Sequence, residues 1–193
     1  MNKENYRTLT NLAVAALISE GEYDVFSDED KLVFSLGKRK YPYLESIIKE
    51  NELWENIVIN PKREQVTIYN HPPLSELRKT WYEDGNKIFS RTLNPAKINV
   101  ESIALCINLF GERKTKSISI PTSVDSNYIS ILSYCIEHHL GVPVIPAASH
   151  VKITRIPHTV ISLIPKIATL HSAELVNILT AGEIRKYMKG VSK

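Results

Sequence analysis

Glu20 stands before Gly21 at the end of an apolar run that begins at Ala13. Ninety positions later Phe110 stands before Gly111 at the end of a similar run from Ile103. A carboxylate can coordinate a hard cation or carry a proton, and an aromatic ring can do neither. The other reactive residue types form no constellation. Cys106 and Cys135 lie inside apolar helical patterns without CxxC spacing, which predicts buried thiols in a reducing compartment rather than metal ligands. His71, His150, His158 and His171 have no ligand spacing, and His138-His139 precede Gly141, where cationic rings suit a helix end. The sequence contains neither a phosphate-cradling glycine loop nor a Ser-His-Asp or Cys-His signature.

The two glycines close predicted helices. Leu9 to Gly21, capped by Thr10 or Asn11, is apolar on nearly every face, so it must pack against another helix. Glu22 to Ser27 and Lys31 to Gly37 follow as strands around the turn Ser27-Asp-Glu-Asp30, with Leu32, Phe34 and Leu36 alternating. Tyr43 to Trp54 is the next helix, Ile57 to Asn60 and Gln65 to Tyr69 the next strands, and Leu74 to Tyr82 a third helix after Pro72-Pro73. Trp54 and Trp81 are expected against the sheet as core or rim.

The same α-β-β-α-β-β-α order recurs from Val100: helices over Val100 to Phe110, Asn127 to Leu140 and Thr159 to Leu170, with strands over Lys116 to Pro121, Val142 to Ile145 and Val151 to Ile156. Tyr43-Leu44 matches Tyr128-Ile129 at an offset of 85, so the second copy is about five residues shorter, and its leading strand shrinks to Glu112 to Lys116. The expected organisation is a first repeat over 8–90, a linker over 91–99, a second repeat over 100–172 and a helical tail over 173–193. Glu83 to Asn94-Pro95 reads as polar linker with turn residues. Ala13, Gly21 and Ala16 on one helix, with Ala104 and Gly111 on the other, predict close helix packing about a pseudo-two-fold axis. For each glycine alone, the plain reading is a left-handed C-cap.

A length of 193 residues supports a hydrophobic core, and a net charge of +3 with 23% charged residues predicts a mixed surface on which any anionic partner meets a local patch. The polar N-terminal stretch and the lack of an apolar run near 20 residues predict a cytoplasmic or nucleoid-associated protein with no membrane partner.

With these repeats, and with Leu77-Arg-Lys-Thr-Trp-Tyr-Glu-Asp-Gly-Asn-Lys87 closing the first, the chain resembles the LAGLIDADG homing endonucleases in their single-chain, two-repeat form. The resemblance covers nearly the whole chain up to about Leu179, although both nonapeptides are degenerate. It implies an α+β fold of two αββαββα repeats that forms a saddle-shaped antiparallel sheet surface for double-stranded DNA, in a monomeric pseudo-dimer. It also implies that the acid before each glycine is catalytic and holds a divalent metal such as Mg²⁺. Aligned on that motif, Glu20 occupies the acidic position of the first repeat and Phe110 that of the second.

Cutting both strands needs metal-held water twice, and Phe110 supplies no ligand. The expected function is therefore double-stranded DNA binding with cleavage at least half lost, as a regulator or a mobile-element remnant. The alternatives are an active Mg²⁺-dependent endonuclease or nickase using Glu20, and an interaction module without nucleic acid. RNA stays open as a partner. Lys31, Lys38, Arg39, Lys40, Lys62, Arg63, Arg113, Lys114, Lys116, Lys152 and Arg155 lie on or beside predicted strands, where they would meet phosphates. Ser35, Thr67, Tyr69, Ser117, Ser119 and Thr154 are the polar strand positions for base readout.

Overall fold

Residues 2–24, 29–89 and 97–191 are described by a computed structural model, 187–191 by backbone alone. Val25 to Asp28 and Ser90 to Ala96, which carry part of the expected first strand, half of its turn and most of the expected linker, lie outside the described residues.

Helix α1 (Lys3–Ile18) and helix α4 (Val100–Phe110) pack along each other at the centre of the molecule. Leu12 to Leu17 are fully buried, as are Ala104 to Ile107, so over these turns both helices are covered on every side. Helix α4 has the predicted bounds, and its start is fixed by a reciprocal cap in which the Asn99 side chain accepts from Ser102 N and the Ser102 hydroxyl accepts from Asn99 N. Helix α1 begins six residues before Leu9, with Asn2 as the cap accepting from Asn5 N at 2.8 Å. Its first two turns are mostly polar and exposed and carry no apolar period, which is why pattern reading starts it late.

Gly21 and Gly111 are not left-handed caps: among the described residues the positive-φ glycines are Gly85 and Gly141. Their requirement is space. A Cβ on Gly21 would lie 2.7 Å from the Ala16 carbonyl oxygen, and one on Gly111 would lie 2.4 Å from the Ile107 carbonyl oxygen and 2.9 Å from Ile118 Cγ2. The chain passes from helix to strand directly at Gly111 and after the short turn Ser19-Glu20 at Gly21, with no room for a side chain at either corner.

Each half carries a four-stranded antiparallel sheet. In the first, β1 (Glu22–Tyr23), β2 (Leu32–Ser35), β3 (Ile57–Asn60) and β4 (Gln65–Ile68) lie in the order β1-β2-β4-β3. In the second, β7 (Glu112–Arg113), β8 (Ser117–Pro121), β9 (Val144–Ala147) and β10 (His150–Thr154) repeat it as β7-β8-β10-β9. Glu22 faces Val33 and Glu112 faces Ser119. Ten residues separate the first pair and six the second, so most of the lost length falls in this hairpin, as expected.

Leu32, Phe34, Val66 and Ile68, with Ile118, Ile120, Val151 and Ile153, are buried toward the helices, and the alternate residues, apart from the buried Ser119, form the open face. Helix α2 (Tyr41–Glu50) and helix α5 (Ser126–Leu140) occupy equivalent places after the first hairpins. Helix α2 stops before Trp54, because the Asn51 side chain and backbone both cap Ile47 O and Glu52 turns left-handed at φ 51°. Trp54 consequently projects into solvent, 59% exposed, contrary to its expected packing, whereas Trp81 is fully buried.

After helix α3 (Pro73–Trp81), the stretch read as linker forms a tight hairpin, β5 (Tyr82–Glu83) with β6 (Asn86–Lys87), around Asp84 and Gly85, both at positive φ. In the second half, helix α6 (Ile156–Leu163) begins earlier than expected, on Pro157. It gives way to a 3₁₀ turn over Ile164–Lys166 that contains Pro165. Helices α7 (Thr169–Val176) and α8 (Ala181–Val191) follow, and α7 lies against α4.

Candidate nucleic-acid interface

Glu20 is exposed at the end of α1, and the position matching it on α4 holds an apolar plug. The Phe110 ring meets Phe34 edge-on with centroids 5.5 Å apart, and both line a recess of about 180 Å³ with Leu36, Leu109 and Glu20 itself. On its other side Glu20 borders an open groove of about 550 Å³ over β1, β2 and β4, shared with Glu22, Asp24, Lys31, Arg63 and Thr67. Among the described residues no three His, Cys, Asp or Glu side chains gather to hold a metal. Glu22 already accepts from the Tyr82 and Ser123 hydroxyls and lies 3.8 Å from the Lys87 ammonium. Glu20 could thus hold a hard cation from the open side, with Glu22 available only if it gave up its present partners.

Lys87 is the residue that sequence reading passed over. The Asp84-Gly85 turn delivers it beneath the end of α1, 5% exposed, where Nζ donates to Ser19 O at 2.9 Å, Gly21 O at 2.7 Å and Ser123 Oγ at 2.9 Å. It satisfies carbonyls that the end of a helix leaves open and ties the first repeat to the second. Burial pushes its pKa down to about 8, with Glu22 acting in the opposite sense. The Asp-Gly dipeptide was the available sequence signal.

The end of α4 is supported differently. Asn108 Nδ2 donates to Tyr43 Oη at 2.9 Å and to His171 O at 3.0 Å, and the Tyr43 hydroxyl bonds His171 Nδ1 at 2.8 Å. Burial holds the Tyr43 phenol above its ordinary range and the His171 ring below its own, so both stay neutral. This network joins α2, α4 and α7.

No protein-family model matches the chain, and no curated protein matches it in sequence. Solved structures do match in shape. The homing endonuclease I-WcaI bound to its DNA recognition sequence superposes with a TM-score of 0.61 at 14% identity, over 88% of this chain and 86% of that one. Mesophilic variants of the homing endonuclease I-DmoI give 0.52 at 13% identity, over 90% and 99%. I-DmoI in complex with DNA and Ca gives 0.50 at 12%, over 86% and 93%. The fold is that of the LAGLIDADG homing endonucleases.

On this LAGLIDADG fold the eleven cations singled out from sequence divide into groups. Arg39, Lys62, Arg63, Lys116, Lys152 and Arg155 are exposed, in strand connections or on the open face. Lys31 pairs with Glu29 at 3.5 Å, Lys38 with Glu64 at 3.9 Å and Lys114 with Glu112 at 2.6 Å, surface pairs that cost little to open. Lys40 and Arg113 are engaged within the molecule. Lys40 pairs with Glu174 at 3.3 Å. Arg113 donates to Ile178 O at 2.7 Å and to Glu183 at 3.1 Å, so both hold the C-terminal helices of the LAGLIDADG fold in place. Of the readout positions, Ser119 is buried and the Thr154 hydroxyl donates to Pro143 O at 2.8 Å, whereas Ser35 is exposed and Thr67 half-buried. No helix among the described residues is long and apolar enough to cross a membrane.

Proposed function

We propose that the chain is a double-stranded DNA-binding protein built on the LAGLIDADG scaffold and deficient in double-strand cleavage, acting as a monomer in the cytoplasm or on the nucleoid. Its repeats are assigned to 8–90 and 100–172, with 91–99 as linker and 173–193 as tail. The observation that carries the reading is the Phe110–Phe34 pair, which fills the second acidic position with hydrocarbon while the open sheet face keeps its cations. I-WcaI and I-DmoI, solved with DNA, support the partner, and I-DmoI with Ca supports divalent metal as the ion to test.

A second reading, strand-specific nicking with Mg²⁺ held by Glu20, draws support from the groove that Glu20 shares with Glu22 and Asp24. Bound there, the ion would activate a water and stabilise phosphate charge. One experiment separates the two readings: supercoiled plasmid is incubated with Mg²⁺ and the intact chain or Glu20→Gln. Binding without any nick supports the first reading, and nicking that disappears in Glu20→Gln replaces it with the second. Competition between duplex DNA and RNA of matched sequence identifies the preferred polymer.

A further inference from the structure

Strand register draws one line of side chains across each sheet. In the first, Glu22 faces Val33, Val33 faces Thr67 and Thr67 faces Val58. In the second, Glu112 faces Ser119, Ser119 faces Lys152 and Lys152 faces Ile145. Both lines run from an acid on the edge strand that follows a central helix to a β-branched aliphatic on the opposite edge strand, on the face turned away from the helices, with Ser119 buried within the second line. Val58 is 49% exposed and Ile145 51%. Among the large exposed hydrophobic side chains of the described residues, these two alone lie on strands.

A bare aliphatic on an outermost strand is a liability, since such strands invite pairing with another chain. Here the liability occurs at the same register point in both halves, although Val33 and Thr67 have become Ser119 and Lys152 in the second line. Strand spacing of about 4.8 Å against a base-pair rise of about 3.4 Å lets neighbours in a line address adjacent base pairs. In the major groove the apolar group on offer is the thymine methyl, and lysine selects guanine through O6 and N7, whereas a threonine hydroxyl bonds several bases and its methyl can itself meet thymine.

Resting on the DNA-binding reading, we propose that Val58 and Ile145 contact thymine methyl groups at the two outer ends of the target, and that Lys152 adds a guanine beside the thymine in one half alone. The target is then symmetric at its ends and asymmetric just inside them.

The test selects duplexes from a random library with the full chain, then replaces each outer thymine by deoxyuridine, which removes only the methyl group. Expected are thymine at both outer ends and guanine beside one of them, with affinity falling about fourfold per methyl removed. Val58→Ala should abolish that sensitivity at one end and Ile145→Ala at the other, while Lys152→Ala relaxes the guanine. Both aliphatic positions are exposed, so folding tolerates the changes. Selected sites without outer thymines, or equal binding of uracil duplexes by the intact chain, would overturn this readout and leave DNA binding standing. No salt-sensitive binding to any duplex would instead sink the function on which it rests. A concentration-dependent dimer dissolved by Val58→Asn or Ile145→Asn would assign these residues to a second copy of the chain and overturn the proposal.

Discussion

Phe110 meets Phe34 across the boundary between the two halves, ring edge to ring face, at the position where the first half presents the exposed carboxylate of Glu20. Phe34 belongs to the first sheet and Phe110 to the central helix of the second half, so the contact is part of what holds the halves together. Replacing Phe110 by Ala should lower stability by about 2 kcal/mol, less than for a wholly buried ring because this one is partly open to solvent. Urea denaturation measures it, and an unchanged midpoint would show that the plug contributes nothing to the fold.

The two corner glycines lead to a contrast. Gly111→Ala, whose methyl would overlap the Ile107 carbonyl and Ile118, should cost roughly 2–3 kcal/mol. Gly37→Ala, where nothing lies within 4 Å of the added carbon, should be near neutral. Thermal midpoints of the two variants test this, and equal shifts would remove the steric account.

His71 makes stability depend on acid. Its Nε2 bonds Thr10 Oγ1 at 2.9 Å, its Nδ1 is buried without a partner, and burial pushes its pKa down to about 4. The unfolded ring titrates near 6.5, so between about 6.5 and 4 the unfolded chain binds the extra proton. This contribution is complete above about pH 6.5 and is lost as pH falls through about 4, amounting to roughly 3 kcal/mol. In His71→Gln the urea midpoint should depend less steeply on pH in that window, and an undiminished slope would point to other groups.

Cations on the open face and cations bound to the C-terminal helices should behave differently. Lys62→Ala with Arg63→Ala should weaken duplex binding and lower the slope of log affinity against log salt by about 0.9 for each lost phosphate contact. Arg113→Ala should leave that slope unchanged and destabilise the chain, because Ile178 O and Glu183 lose their partner. The opposite pattern would mean that Arg113 leaves its internal partners to reach DNA.

The parts of the architecture that pattern reading caught share one property: burial on both sides of a well-capped segment. Helix α4 shows it, since Asn99 starts the helix and Gly111 ends an uninterrupted apolar run. The first turns of α1 were missed because their stability comes from a cap and from tertiary partners such as Glu101, which pairs with Arg7 and accepts from Asn11 at 2.8 Å across ninety residues. No local period encodes such contacts. Lys87 was missed for a related reason: a lysine next to a turn reads as solvent-facing, and only the fold brings three oxygens around its ammonium. Glu20 and Phe110 were legible because the repeat supplied its own internal comparison.

The packing of α1 on α4 within one polypeptide has a consequence for how the molecule can change. In an assembly of two identical chains, every mutation is made twice, and an aromatic ring in place of an acid would appear at both ends at once. Here each half is the other's cover yet has its own codons. One half presents Phe110 and a shorter hairpin while the other presents Glu20 and a longer one, so the face they form together need not be symmetric.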